Sequence, residues 1–387
     1  MPIVFNSSDG PSVGVEMELE LVDRGTGELV SAASEILEQI GVSHPGAVHP
    51  RAKHELFECT IEIITDVCHS AGEARADLTR TLDEVQAAAA ERGLAAMCSG
   101  SHPFSRPHAQ VVSPDPRYEK LVGEMQWMAR RLQIFGVHVH VGVRSAEKVI
   151  PIANALAGYI PHLLALSASS PYWEGEDTGL ASCRAKVFEG LPTAGLPPTL
   201  DDWSEFEQFV DTLVTSQAIS TIRDVWWDIR PHPDFGTVEL RMCDGLPTLT
   251  EVAAVTALSQ SLVTWLDHLL DKGYRLPRHR DWILQQNKWR AGRHGIEASL
   301  IVDDQGAQQP LRDAVVETLE ELEPIANRLG CAAELGGVHD ILRVGPSYAR
   351  QRAAATEAGA DGKPDLKAVV DQLVQELATG QPQEVCR

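Results

Sequence analysis

The stretch "GVEMELELVD", residues 14–23, alternates Glu16, Glu18 and Glu20 with Val15, Met17, Leu19 and Leu21. A period of two belongs to a β-strand, which sets the three carboxylates on one face and the apolar side chains on the other. A chain built around such a strand must bury the apolar face and also accommodate a row of like charges. The same demand recurs downstream. "ELFECTIEII", residues 55–64, reads as a second strand with Glu55, Glu58 and Glu62. "GVHVHVGV" sets His138 and His140 on one face, and "TVELRMCD" does the same for Glu239 and Arg241, preceded by Arg230 in "WWDIRP".

Taken singly, each polar face fits the solvated side of a half-buried antiparallel sheet. Solvated faces usually mix Lys, Thr, Ser and Gln with Glu, whereas the first two here carry almost no lysine. If the faces converge, two carboxylates about 6 Å apart repel by roughly 3 kcal/mol at an effective dielectric near 20, and a cluster of four or five multiplies that cost. Either some of them are protonated or bound cations neutralise them. An oxygen-rich donor set favours hard ions such as Mg²⁺ or Mn²⁺, and one added imidazole is compatible with both.

Composition agrees with a protein that holds cations. Asp plus Glu number 55 against 33 Lys plus Arg, a net charge of −22. Nucleic acid and anionic membrane are poor partners for such a chain, because their phosphates need basic patches. The N-terminal "PIVFNSSDGPSVG" lacks the basic and apolar regions of a signal peptide, and no run reads as the ~18 apolar residues of a spanning helix. Seven cysteines are scattered without a C-x-x-C pair, which predicts reduced thiols in a cytoplasmic protein. With 387 residues and 43% hydrophobic content the chain has enough material for a sizeable core.

Helix signals lie between the strands. Ser70 and Glu73 read as a capping box opening a helix that Gly93 stops, and a strand follows at 94–98. Helices are predicted over 117–136, 145–170 with a break at Pro161, 202–224 and 248–273, with mostly helix after 310. Residues 171–200, rich in Gly and Pro, predict a long ordered loop. "VWWDIR" and "GTVELRMC", separated by "PHPDF", read as a hairpin-like pair. Strands separated by helices but including a hairpin predict an α+β fold with a largely antiparallel sheet. A small-residue linker at 353–365 then divides the chain into a catalytic domain, 1–350, and a C-terminal stretch, 351–387, made of linker, helix and polar tail.

Neither G-x-x-x-x-G-K-[ST] nor G-x-G-x-x-G is present, so any phosphate must be handled by metal ions and arginines. The ordered set "VGVEMELELVD", "FECTIEIITDVC", "CSGSHPFS", "FGVHVHVGV", "PHLLALSASSPYWEGEDTGLASCRAKVF", "WWDIRPHPDFGTVELRMCD" and "NKWRAGRHGIEASLI" resembles the carboxylate–amine ligase family, or type 2 glutamate–cysteine ligases, over about three quarters of the chain. The resemblance implies a glutamine synthetase-like curved, mostly antiparallel sheet, with helices packed on its outer face and ATP, metal ions and glutamate on its concave face. It implies that Glu16 and Glu18 face different metal ions, that Glu55 and Glu62 (with Glu58 as an alternative) hold one ion, and that His138 and Glu239 hold the other. It places Arg241 and Arg230 near phosphates or the substrate carboxylate, and Arg184 and Arg293 near nucleotide or substrate. Where the family usually reads "GVEEEF", this chain has Met17 in place of the middle acid and adds Glu20 on the same face.

The activity so implied is ATP-dependent joining of the γ-carboxylate of glutamate to an amine, an amino acid or another, through an acyl phosphate. The cofactors implied are ATP with Mg²⁺ or Mn²⁺, and a homodimer is the assembly expected. Two rival readings are a metal-dependent amide or peptide hydrolase using the His138/His140 pair, and a non-catalytic binding protein on the same fold. The hydrolase would need more imidazole ligands, and no H-E-x-x-H is present. Retention of all six candidate ligands weighs against the binding protein.

Overall fold

In the computed structural model, residues 3–357 and 364–383 are described. The elements run β1 (Val13–Asp23), α1 (Ala33–Gly41), β2 (Ala52–His54), β3 (Thr60–Ile64), α2 (Ala71–Glu91), β4 (Leu94–Met97), α3 (Pro116–Met125), β5 (Val137–Gly142), α4 (Ala146–Leu156) and α5 (Ile160–Ser167). Then follow β6 (Tyr172–Trp173), β7 (Glu176–Asp177), α6 (Arg184–Phe188), α7 (Trp203–Thr215), β8 (Ile229–His232) and β9 (Thr237–Leu240). The remainder is α8 (Leu249–Asp271), α9 (Asp281–His294), β10 (Ser299–Ile301), β11 (Gln308–Pro310), α10 (Leu311–Leu329), α11 (Ala332–Val344), α12 (Ser347–Glu357) and α13 (Leu366–Thr379).

The fold is α+β, as expected, with a seven-stranded antiparallel sheet ordered β2-β3-β1-β5-β9-β8 and β4 added beside β1. β1 is the hub. Its middle, Glu16 to Glu20, pairs with β3, while its other edge pairs first with β5 and then with β4. Val15, Met17, Leu19, Ile61, Ile63, Val139 and Leu240 form the fully buried apolar face. Helices α2 and α8 cover it.

Two helical stretches, Ala146–Ser167 and Leu249–Asp271, are long and apolar enough to cross a membrane, contrary to the sequence expectation. Their apolar windows are 78% and 89% buried within the protein, so core packing accounts for their composition. The second expected strand is shorter than 55–64. Only residues 60–64 are strand, and 55–59 form the turn between β2 and β3. The helix expected over 117–136 stops at Met125, where Gln126 takes φ +50°, and the helix expected over 202–224 ends at Thr215. Ser70 caps α2 by accepting from the Glu73 amide, but Glu73 accepts from the His69 amide instead of closing a capping box.

The C-terminal helices are built into the main body. α12 occupies 353–357, where a linker was expected, and 358–363 lie outside the described residues. Val369, Val370 and Leu373 of α13 pack with Val22, Ala95 and Met97 of the sheet. Arg350 of α12 is 1% exposed and bridges Glu251 of α8 and Glu376 of α13, at 2.8 and 2.9 Å.

Truncating Arg350 leaves two carboxylates buried without their cation, which typically costs about 3–5 kcal/mol. Arg350→Ala should therefore lower the urea midpoint markedly, and Arg350→Lys less so. An unchanged midpoint for the alanine variant would show that the triad does not secure these helices.

Candidate functional site

The register of the sheet collects the polar faces. Glu18 stands opposite Glu62, and Glu16 opposite His138. His140 stands opposite Glu239, and Arg230 opposite Glu239. Directly paired residues in such a sheet have Cβ atoms about 4.5–5.5 Å apart, so four strands deliver their polar side chains to one cavity. These faces are not solvated: Glu62 and His138 are 5% exposed and Glu239 is 0% exposed.

Three overlapping sets of donor atoms result, each within 4.8 Å: Glu16, Glu62 and His138; Glu16, His140 and Glu239; and Glu18, Glu55 and Glu62. All six expected ligands are present. Glu55 arrives from the turn after β2 and not from a strand. Glu58, the alternative, is turned away and accepts from the amide and hydroxyl of Ser34 at 3.1 and 2.7 Å. Glu20, the extra acid, is buried deeper, where it meets the Ser99 hydroxyl at 2.7 Å. His140 is an additional donor. Its Nδ1 meets the Thr237 hydroxyl at 3.1 Å, while Nε2 lies 3.5 Å from Glu16 without a hydrogen bond. Its place in the H-x-H alternation was the available signal.

The two halves of the cluster are balanced differently. At one end Glu239 is held by Arg230 at 2.7 Å and by Arg241. Burial opposes its ionisation, but the two guanidiniums overcome burial and keep its carboxyl well below the usual range. Burial likewise opposes ionisation of Glu16, and the neighbouring imidazoles of His138 and His140 outweigh it. Burial holds His138 down at about 4 and therefore neutral. In that state Nδ1–H donates to Glu16 at 3.1 Å and leaves the Nε2 lone pair free for a metal.

At the other end three carboxylates share one nearby ammonium, Lys53, 2.6 Å from Glu62. Burial and the Glu55 charge push Glu18 up to about 8, although the Gly136 amide donates to it at 2.6 Å. Burial also raises Glu55 and Glu62. Carboxylate oxygens 4.8 Å apart repel by about 3.5 kcal/mol per ionised pair at an effective dielectric near 20. This end therefore carries protons or a divalent cation, and the oxygen-rich set fits Mg²⁺ or Mn²⁺. The donors are carboxylates in the majority, unlike the imidazole-dominated site the hydrolase reading needs.

The arginines differ in what they have left to offer. Most of Arg230 is committed: Nε and Nη2 meet Glu239, and Nη1 donates to the carbonyls of Arg223 and Val225 at 3.2 and 3.0 Å. Arg241 donates from Nη1 to Glu239, while its buried Nε has no partner. Arg184 lies over the Phe188 ring at 5.7 Å and donates weakly to the Arg241 carbonyl at 3.4 Å. Arg293 is exposed and donates to the Gly179 carbonyl, so the structure does not gather it with the carboxylates.

Behind this wall lies a network that sequence reasoning missed. Buried Asp244 accepts from the Ser169 amide at 3.0 Å and from the Ser170 and Ser182 hydroxyls at 2.7 and 2.8 Å. A Cβ on Gly100 would lie 2.6 Å from that carboxylate, so the "CSGS" turn can pass only with glycine there. Lys288 of α9 joins Asp228 and Glu189 at 2.6 and 2.7 Å, tying the segment after α6 to the residue that precedes β8. The signals were the charged residues inside "RMCD", "WWDIR" and "NKWR", whose partners lie far off in sequence. Among the described residues the six cysteines are buried free thiols, in line with the sequence expectation; Cys386 lies outside them.

A family model described as Glutamate-cysteine ligase family 2 (GCS2) matches residues 12–386. The chain is 56% identical over 382 residues to "Putative glutamate--cysteine ligase 2-1" of Frankia casuarinae, covering 99% of each. It is 50% identical to "Putative glutamate--cysteine ligase 2" of Thermobifida fusca, covering 99% of this chain and 94% of that protein. Among solved structures, a glutamate–cysteine ligase from Francisella tularensis in complex with AMP superposes with a TM-score of 0.68 at 13% identity, covering 98% and 91% of the two chains. A bifunctional glutathione synthetase from Pasteurella multocida gives 0.62 at 16%, covering 96% of this chain and 52% of that one. At these identities the two structures speak for the fold.

The raised Glu18 sets a pH dependence. Its folded value, about 8, lies above the ordinary 4.5, so the folded state retains a proton that the unfolded state has lost between these values. In chelator, Glu18's contribution to thermal stability is lost as pH rises through that window; below pH 6.5 buried neutral His138, held at about 4, pulls the other way, so the net fall should be read above pH 6.5. Added Mg²⁺ should reverse the trend, stabilising more at pH 8 than at pH 5.5, because the ion competes with protons for the same oxygens. Melting curves at both pH values with and without the ion check this; a stabilisation independent of pH would contradict the assignment.

Proposed function

Because this chain belongs to the glutamate–cysteine ligase family 2, we propose that it joins the γ-carboxylate of glutamate to an amine in an ATP-dependent reaction that proceeds through an acyl phosphate. The observation that carries this reading is the convergence of Glu16, Glu18, Glu55, Glu62, His138 and Glu239, with Arg241 beside them, on one face of the sheet. A carboxylate is a poor acceptor for an amine until its oxygen is made a leaving group. Transfer of the γ-phosphoryl of ATP does this, and the amine then displaces phosphate. The first step brings two polyanions together, so it needs concentrated positive charge and fixed geometry more than a protein nucleophile.

Divalent cations held by the six ligands would supply charge neutralisation on the phosphates. Neutral His138 offers Nε2, and Glu16 fixes its ring through Nδ1. Arg241 sits against Glu239 and keeps a buried Nε without a partner, so it is the catalytic candidate for the transferring phosphoryl group; Arg184 also has a free Nε but makes no ion pair with the carboxylates among the described residues. Arg230 acts through Glu239 as a positioning residue, because Nε and both Nη1 protons are already committed to Glu239 and to backbone carbonyls. Arg184 braces the backbone that carries Arg241, and Arg293 is the candidate at the rim. The family label makes cysteine the first amine to test.

Phosphate release from ATP across pairs of amino acids, with mass spectrometry of the products, tests the reaction and names the amine. Glu16→Gln should abolish turnover while the protein stays folded by circular dichroism. Arg241→Lys should lower kcat on the order of a hundredfold, with a smaller change in KM for ATP. Normal turnover by the Glu16→Gln variant would overturn the ligand assignment, and peptide hydrolysis without nucleotide would replace the ligase reading.

A further inference from the structure

A second group of donors lies apart from the carboxylate cluster and shares no residue with it. His44 and His49 flank a single 3₁₀ turn, Pro45–Ala47, and face Glu84 on α2. The turn folds back through two left-handed residues, Gly46 at φ 72° and Ala47 at φ 54°, which sets the two imidazoles edge to face with centroids 4.3 Å apart. Each Nε2 lies near the same carboxylate oxygen of Glu84, at 3.5 Å from His44 and 3.4 Å from His49. These separations are long for a charge-assisted hydrogen bond, which runs about 2.7–2.9 Å. They match the edge of a tetrahedron: ligands bound to zinc at about 2.0–2.2 Å lie roughly 3.3–3.5 Å from one another.

His49 is 6% exposed, and its Nε2 has no hydrogen-bond partner. A buried donor or acceptor left without a partner is costly, and native structures rarely tolerate one without a reason. We propose that His44, His49 and Glu84 form a separate metal site for a zinc-class divalent ion, with water as the fourth ligand. The donor set decides the ion. Two imidazoles and one carboxylate suit Zn²⁺, Co²⁺ or Ni²⁺ and are a poor cage for Mg²⁺. Glu84 is 43% exposed in its side chain and His44 25%, so the fourth position opens to solvent.

Binding at Nε2 requires the His49 proton on Nδ1. That atom now accepts from the Arg51 amide at 3.1 Å, so uptake of the ion breaks this hydrogen bond and moves the amide away from Nδ1. The ion would fasten the 44–49 segment to α2. The same segment runs directly into β2, where Lys53 meets Glu62 of the carboxylate cluster. The site is structural in kind, and it does not depend on the ligase reading.

The test uses the full chain, stripped with chelator and returned to excess Mg²⁺ so that the oxygen-rich cluster is occupied. Zn²⁺ is then titrated against a chromogenic chelator, and Co²⁺ is followed by its visible absorption. Wild type should take up one Zn²⁺ that Mg²⁺ does not displace, and bound Co²⁺ should show a four-coordinate spectrum. His49→Ala and the milder surface change Glu84→Gln should each weaken that binding on the order of a hundredfold and leave Mg²⁺-dependent turnover unchanged. Glu16→Gln should keep the zinc. Zinc binding equal to wild type in both His49→Ala and Glu84→Gln overturns the proposal, as does loss of the zinc in Glu16→Gln, which would place the ion at the carboxylate cluster.

Discussion

The structure turns on electrostatic repulsion imposed by strand register. β1 cannot bury Val15, Met17 and Leu19 without presenting Glu16 and Glu18 to the other face. Its partners β3 and β5, with β9 on the far side of β5, contribute Glu62, His138, His140 and Glu239 to that face by the same alternation. Hydrophobic burial on one side thus fixes an acidic cavity on the other. One end of the cavity meets its charge internally, with Arg230 and Arg241 around Glu239. The other keeps Glu18, Glu55 and Glu62 together, with Lys53 bound to Glu62 and the guanidiniums of Arg184, Arg241 and Arg117 acting on Glu18 and Glu55 without offsetting burial. That asymmetry locates the demand for a divalent ion more sharply than the count of carboxylates does.

Rigidity behind the cavity comes from buried polar contacts between segments distant in the chain. Asp244 gathers the turns at 98–101, 167–170 and 182, and Lys288 holds the residue before β8 to the segment after α6. Gln351 of α12 donates to the Ser169 carbonyl at 2.7 Å, so the C-terminal helices brace the same serine turn. The Arg350 triad then locks those helices to α8. A ligand cage of like charges needs such a frame, because its own members push apart.

Much of this was legible in the sequence. Period-two alternation identified β1, β5 and the β8–β9 hairpin and singled out Glu16, Glu18 and Glu239, while the family resemblance supplied Glu55 and Glu62 as ligands. The alternation failed at 55–59, because an apolar–acidic alternation there belongs to a turn. Glu55 reaches the cluster from that turn, while Glu58 serves the first residues of α1. The pairings Lys53–Glu62 and Lys288–Asp228 were not visible, since nothing local in a sequence says which distant charge a lysine meets. The commitment of Arg230 Nη1 was equally hidden: it depends on the carbonyls of Arg223 and Val225, which the backbone happens to aim inward. The expected linker at 353–357 is helix because tertiary packing overrides weak local propensity.

The triple pairing of β1 also bears on how such a chain can evolve. A single residue inserted or deleted between Val15 and Glu20 would rotate everything beyond it by half a period, driving carboxylates into the apolar layer and aliphatic side chains into the cavity. No neighbouring strand could absorb the slip, since β3, β4 and β5 hold both edges. Descendants of this sequence can therefore exchange residues in that segment, as Met17 and Glu20 illustrate, but they cannot change its length.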